Sequence, residues 1–170
     1  MDTLHWVSGF EFTDPEQDYT FLALRSASDY PMNEGDLVTN RGLHVTASGF
    51  EQHFQEEQVP YSNALHCTLN GRSYLTGPLA RLALNHDRLP GSIKGVLQNT
   101  GLTFPFTKAS MGIVARSIEV LYACEEVLRL IERYVEPRTP AVPVKLCAGT
   151  GMAATEAPRG VLFHRYEVNE

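Results

Sequence analysis

Lys108-Ala-Ser-Met-Gly-Ile-Val-Ala-Arg-Ser-Ile-Glu-Val-Leu-Tyr-Ala-Cys-Glu-Glu-Val-Leu-Arg-Leu-Ile-Glu-Arg-Tyr134 carries the strongest periodicity in the chain. Met111, Val114, Ile118, Leu121, Leu128 and Ile131 step at helical spacing, interrupted only where Glu125 takes a place the repeat would give to an apolar group. The stretch predicts one amphipathic helix over about 108–134, roughly 40 Å long. A second apolar row, Ile113, Val120, Cys124, Val127 and Leu130, widens the buried face beyond one stripe, which suits a helix set inside a larger helical assembly. Arg116 with Glu119 and Glu125 with Arg129 have the spacing of ion pairs on its wetter side.

Upstream of this helix the pattern changes. Gly77-Pro78 opens a shorter helix with Leu79, Leu82 and Ala83 on one face, because proline suits the first helical position; residues 87–91 close it. A weakly apolar helix is expected over 92–99, stopped by Gly101. Residues 19–26 are rich in β-formers, and 36–45 reads as a hairpin around Asn40 to Gly42. Ser48 with Glu51 has the form of a capping box for a short helix or helical turn ending before Pro60. Residues 60–76 read as extended structure with a turn at Asn70-Gly71. Downstream, Pro137, Pro140 and Pro143 forbid helix, and 161–168 reads as a strand.

The expected fold class is α+β: a small mixed or antiparallel sheet packed on a helical part dominated by the long helix. With 170 residues, 43% hydrophobic and 20% charged, the chain has the composition of an ordinary globular protein, and one domain over 1–170 is the expectation. Residues 1–76 would be mainly strand and loop, 77–135 helical, and 136–170 an extended segment and strand. A net charge of −6 repels a phosphate backbone, so no nucleic-acid partner is expected. No window is apolar enough to span a membrane, and the N-terminus has no secretory pattern, which together predict a cytoplasmic chain. Cys67, Cys124 and Cys147 lie far apart with no Cys-x-x-Cys, which suggests buried thiols in a reducing compartment and argues against a disulfide framework or a self-contained zinc site.

Most candidate chemistry has a plain structural account. Gly149-x-Gly151 lacks the third glycine and the following helix of a dinucleotide fingerprint. His66, Cys67, His86, Asp87 and His164 lack metal-ligand spacing, and Ser73 and Ser110 sit in no nucleophile elbow. Glu156-Ala157-Pro158-Arg159-Gly160 differs. Proline stiffens the backbone ahead of an arginine, a glycine follows, and an acid lies three positions upstream. That arrangement suits a guanidinium held as a fixed charge and donor fork, or else an ordinary surface loop with an ion pair.

This segment, from Gly149 through Glu167, resembles the signature of the large (alpha) subunit of nickel-iron hydrogenases, in the cytoplasmic branch that couples to nicotinamide, deazaflavin or sulfur reduction. The similarity continues in Tyr30-Pro-Met-Asn-Glu-Gly35, Glu56-Glu-Gln-Val-Pro-Tyr-Ser-Asn-Ala-Leu65, Gly77-Pro-Leu-Ala-Arg81 and Ile113-Val-Ala-Arg-Ser-Ile-Glu-Val-Leu121. The resemblance implies a parent reaction of reversible heterolytic dihydrogen cleavage. It implies Arg159 as a catalytic group above a nickel-iron centre with cyanide and carbon monoxide ligands, Pro158 as part of the same wall, and Glu156 and His164 in support. Family members hold the metals through two Cys-x-x-Cys pairs, and this chain has neither. The expectation is therefore an interior segment, without metal or cofactor of its own and inactive alone. Its partners would be the small iron-sulfur subunit together with the rest of the large one; the isolated chain would form a homo-oligomer. A metal-free hydrogenase-like scaffold or assembly protein is the alternative.

Overall fold

The computed structural model describes residues 2–169. Helix α1 (Asp2–Ser8) precedes a three-stranded antiparallel sheet of β1 (Leu22–Arg25), β2 (Asp36–Thr39) and β3 (His44–Val45), in which Leu24 faces Leu37 and Val38 faces His44. A 3-10 turn and the four-residue α2 (Phe50–His53) lead into the hairpin of β4 (Phe54–Glu57) and β5 (His66–Leu69). Helices α3 (Pro78–Asn85) and α4 (Gly91–Gln98) follow. A 3-10 turn, Ala109–Met111, then runs directly into α5 (Gly112–Arg133), and the antiparallel pair β6 (Gly149–Ala157) and β7 (Gly160–Val168) completes the described chain. The α+β class and the dominant long helix are as the sequence predicts.

Two apolar cores divide the work. The helical core joins Leu4 and Val7 of α1, Leu79 and Leu82 of α3, Ile93 of α4, and Val114, Ala115, Ile118 and Tyr122 of α5. The sheet core joins Leu22, Leu24, Leu37, Phe50, Phe54, Leu69 and Ala154. Here Phe50 stacks between Phe54 and Phe163, with ring centroids 4.3 and 4.0 Å away, so the β6–β7 pair is tied to the short helix by aromatic contact.

Several local expectations change. Over residues 48–57 only one α-helical turn forms, Phe50–His53, without the expected cap: Ser48 makes no capping bond, and the chain turns extended at Phe54, which pairs with Leu69 and buries its ring. Burial of Phe54 against Phe50 and Tyr74 outweighs the capping pattern. Asn70-Gly71 does make the turn, with φ of 49° and 74°, values that suit asparagine and glycine. Pro78 occupies the start of α3 as expected. On α5 the buried face is narrower than two apolar rows suggest: Val114 and Ile118 are fully buried, whereas Val120, Val127, Leu128, Leu130 and Ile131 are all exposed. Glu119 is buried and pairs with Arg81 rather than Arg116, while Arg129 bonds Glu126, and Glu125 accepts the Ser92 hydroxyl.

Candidate functional site

Pro158 and Arg159 are the two residues of the turn between β6 and β7, since Ala157 faces Gly160 across the ladder. Proline locks its own φ and so stiffens half of a turn that has only two residues. The turn is seated on the start of α3. A Cβ on Gly77 would lie 2.9 Å from the Arg159 carbonyl oxygen, and a Cβ on Gly160 would lie 2.3 Å from Thr76 Oγ1. Both glycines have φ in the left-handed half of the map, 90° and 141°, so close approach and backbone conformation each favour glycine there.

Beneath the turn lies a buried polar cluster built around Arg81, one helical turn after Gly77. Its Nε donates to Glu119 Oε1 at 2.6 Å and its Nη2 to Glu119 Oε2 at 2.7 Å, a two-pronged pairing. Its Nη1 donates to Glu156 Oε2 at 2.9 Å and to the Ala157 carbonyl at 2.8 Å, and Nη2 also reaches the Pro158 carbonyl at 3.2 Å. All five N–H donors of a guanidinium are thereby placed. Glu119 further accepts the Tyr30 hydroxyl at 2.7 Å, and Glu156 accepts the Leu24 N–H at 2.8 Å. The side chains of Arg81 and Glu156 are 2% and 0% exposed, so this is a desolvated cluster of one cation and two anions.

Burial and charge pull in opposite directions here. Burial is the largest influence on Arg81 and disfavours its charge, but the two carboxylates together outweigh it and hold its pKa above the usual value. For Glu156, burial dominates and pushes the carboxyl above the usual carboxylate range, against the opposing pull of the Leu24 N–H and Arg81. Burial, followed by the negative charge of Glu119, drives the Tyr30 phenol well above its ordinary value.

Of the residues singled out from sequence, Pro158, Arg159 and Glu156 come together, yet not as an ion pair. Glu156 points inward to Arg81, while Arg159 is exposed and has no carboxylate at ion-pair distance among the described residues. His164 sits four residues beyond Gly160 on β7, roughly 14 Å along the strand, exposed and stacked on Tyr166. The structure does not bring it to the turn. Sequence reasoning missed Arg81, Glu119 and Tyr30 as a cluster. Each lies in a stretch that carries the family resemblance, which was the available signal. Among the described residues no group of three or more His, Cys, Asp or Glu side chains is placed to hold a metal ion. The three cysteines are free, and Cys124 and Cys147 are exposed rather than buried as the sequence suggests.

No family model matches the chain. The sulfhydrogenase 1 alpha subunit of Pyrococcus furiosus is 26% identical over 161 residues, which are 93% of this chain and 38% of that protein. The sulfhydrogenase 2 alpha subunit of the same organism is 30% identical over 149 residues, 85% of this chain and 34% of that protein. The chain is a relative of hydrogenase alpha subunits. A further relative, from the vhu F420-non-reducing hydrogenase of Methanococcus voltae, is 29% identical over 135 residues, covering 76% of this chain and 30% of that protein. The hydrogenase relationship extends to the fold. The nickel-iron-selenium hydrogenase of Desulfovibrio vulgaris Hildenborough superimposes with a TM-score of 0.56 at 20% identity, over 90% of this chain and 40% of that one. This hydrogenase relative thus spans between 30% and 40% of the length of the proteins it matches. No helix among its described residues is long and apolar enough to cross a membrane.

Proposed function

We propose that this chain is the middle, framework part of a nickel-iron hydrogenase large subunit, whose parent reaction is reversible heterolytic cleavage of dihydrogen. The observation that carries the proposal is the Pro158–Arg159 turn, seated on Gly77 and Thr76 and underpinned by Arg81, with an exposed guanidinium that has no carboxylate partner among the described residues. A cation displayed on so constrained a backbone suits electrostatic stabilisation of a reacting centre, because the donor geometry is set before the charge develops. Arg159 is the catalytic residue in this proposal, Pro158 shapes the same wall, and Glu156 supports it from beneath through Arg81, whereas His164, out along β7, takes no part.

The donor set of this chain does not fit a nickel-iron centre. Such a site needs soft thiolate ligands gathered at one place, and Cys67, Cys124 and Cys147 are not gathered. We therefore assign the metals to other parts of the large subunit, with the small iron-sulfur subunit as a further partner, and propose that the chain is cytoplasmic and inactive alone.

Two measurements test this. Elemental analysis of the purified chain is expected to find neither nickel nor iron in stoichiometric amount; one of each per chain would overturn the framework assignment. In the longest protein encoded with this segment, R159K is expected to lower hydrogen turnover about 100-fold or more with bound nickel unchanged. An unchanged rate would remove Arg159 from the site.

A further inference from the structure

Resting on the role proposed for Arg159, we infer that Arg81 is the positioning residue of the Pro158–Arg159 turn and that Glu119 fixes Arg81. The carbonyls that Arg81 binds, at 2.8 and 3.2 Å, belong to Ala157 and Pro158, the two residues immediately before Arg159. A carbonyl oxygen reports the plane of its peptide group, and the Pro158 peptide plane contains the nitrogen and Cα of Arg159. One planar guanidinium therefore sets two consecutive peptide planes, while proline sets the φ between them.

From the other side, Gly77 and Thr76 limit how far the turn moves toward α3. Gly77 and Arg81 are one helical turn apart, linked by the Arg81 N–H to Gly77 carbonyl bond of 2.9 Å, so a single helix start supplies both the seat and the clamp. Glu119 holds the guanidinium from α5 by its two-pronged pairing, and the Tyr30 hydroxyl holds Glu119 in turn. Lysine cannot replace this arrangement. Its ammonium is a point charge with three donors and no fixed plane, too few to serve two carboxylates and two carbonyls in set directions.

The test uses the full chain. In R81K, nitrogen relaxation is expected to show the backbone amides of Arg159 and Gly160 falling from order parameters of about 0.85 to below about 0.6. The amides of β1 and β2 should stay at their wild-type values, and E119Q should move the turn in the same direction by less. A turn that remains as ordered in R81K as in wild type overturns the inference, and so does a loss of order spread evenly over the chain. If R81K does not fold, the wild-type protein decides. The guanidinium protons of Arg81 are expected to exchange with solvent at least about 10-fold more slowly than those of Arg159. Equal rates overturn the inference. R159K leaves the contacts of Arg81 in place, so its hydrogen turnover reports on what Arg159 does, and the relaxation data report separately on what holds it.

Discussion

Three elements, α3, α5 and β6, meet on the guanidinium of Arg81. Removing it leaves two desolvated carboxylates facing each other without a cation. R81M is therefore expected to cost about 3–5 kcal/mol, measured as a shift in the urea midpoint at unchanged slope. Glu156 makes a second prediction, in pH. Burial raises its pKa in the folded state, so the folded chain binds this proton more tightly than the unfolded chain does. By linkage, the contribution is fully present below the ordinary carboxylate pKa and is lost as pH rises through the raised value. Urea midpoints of wild type and E156Q at several pH values between about 4 and 8 are expected to differ by an amount that moves against wild type as pH rises. A difference constant across that window would show that Glu156 has no raised pKa. The subtraction matters because Asp14, Asp87 and Glu126 are shifted down by hydrogen bonds to Ser110, Arg25 and Arg129 and give the opposite trend in both proteins.

At the scale of elements, the hairpin turn and the start of α3 constrain one another through two glycines. G160A places a methyl group 2.3 Å from Thr76 Oγ1 at a φ of 141°, and is expected to destabilise by about 2 kcal/mol. G149A, on the same strand pair with open space around it, is expected to stay within about 0.5 kcal/mol, and calorimetry of both variants makes the comparison. The same elements show what local pattern can and cannot reveal. The long helix, the proline at the start of α3 and the Asn70-Gly71 turn were legible, because period, ring geometry and positive φ are properties of neighbouring residues. Strand β6 was not, since Gly149-Thr-Gly-Met-Ala-Ala offers few β-formers and is held by pairing with β7. Glu119 was misread for a related reason. Its spacing from Arg116 matches a surface ion pair, whereas its actual partner is 38 residues away in sequence and can be found only once α3 packs on α5. In the site, the turn was legible as a stiffened arginine, but the inward direction of Glu156 was not, because sequence does not say which side of a strand is buried.

Over the whole molecule, the second half of α5 is the least finished surface. Val120, Val127, Leu128, Leu130 and Ile131 are between 53% and 65% exposed, a run of apolar side chains on one helix. Isolated in water, this chain is expected to cover them with the same row of a second copy. Light scattering should give a mass above that of the monomer, reduced by V127E/L130E. A monodisperse monomer at high concentration would remove that expectation.

The outer side of β1 offers a contrast. The Leu24 N–H is taken by Glu156 at 2.8 Å and the Leu24 carbonyl by Asn85 Nδ2 at 2.9 Å, so the middle rung of this border strand is already occupied by side chains. A foreign strand arriving there finds the central rung already taken, which works against templated growth into fibrils.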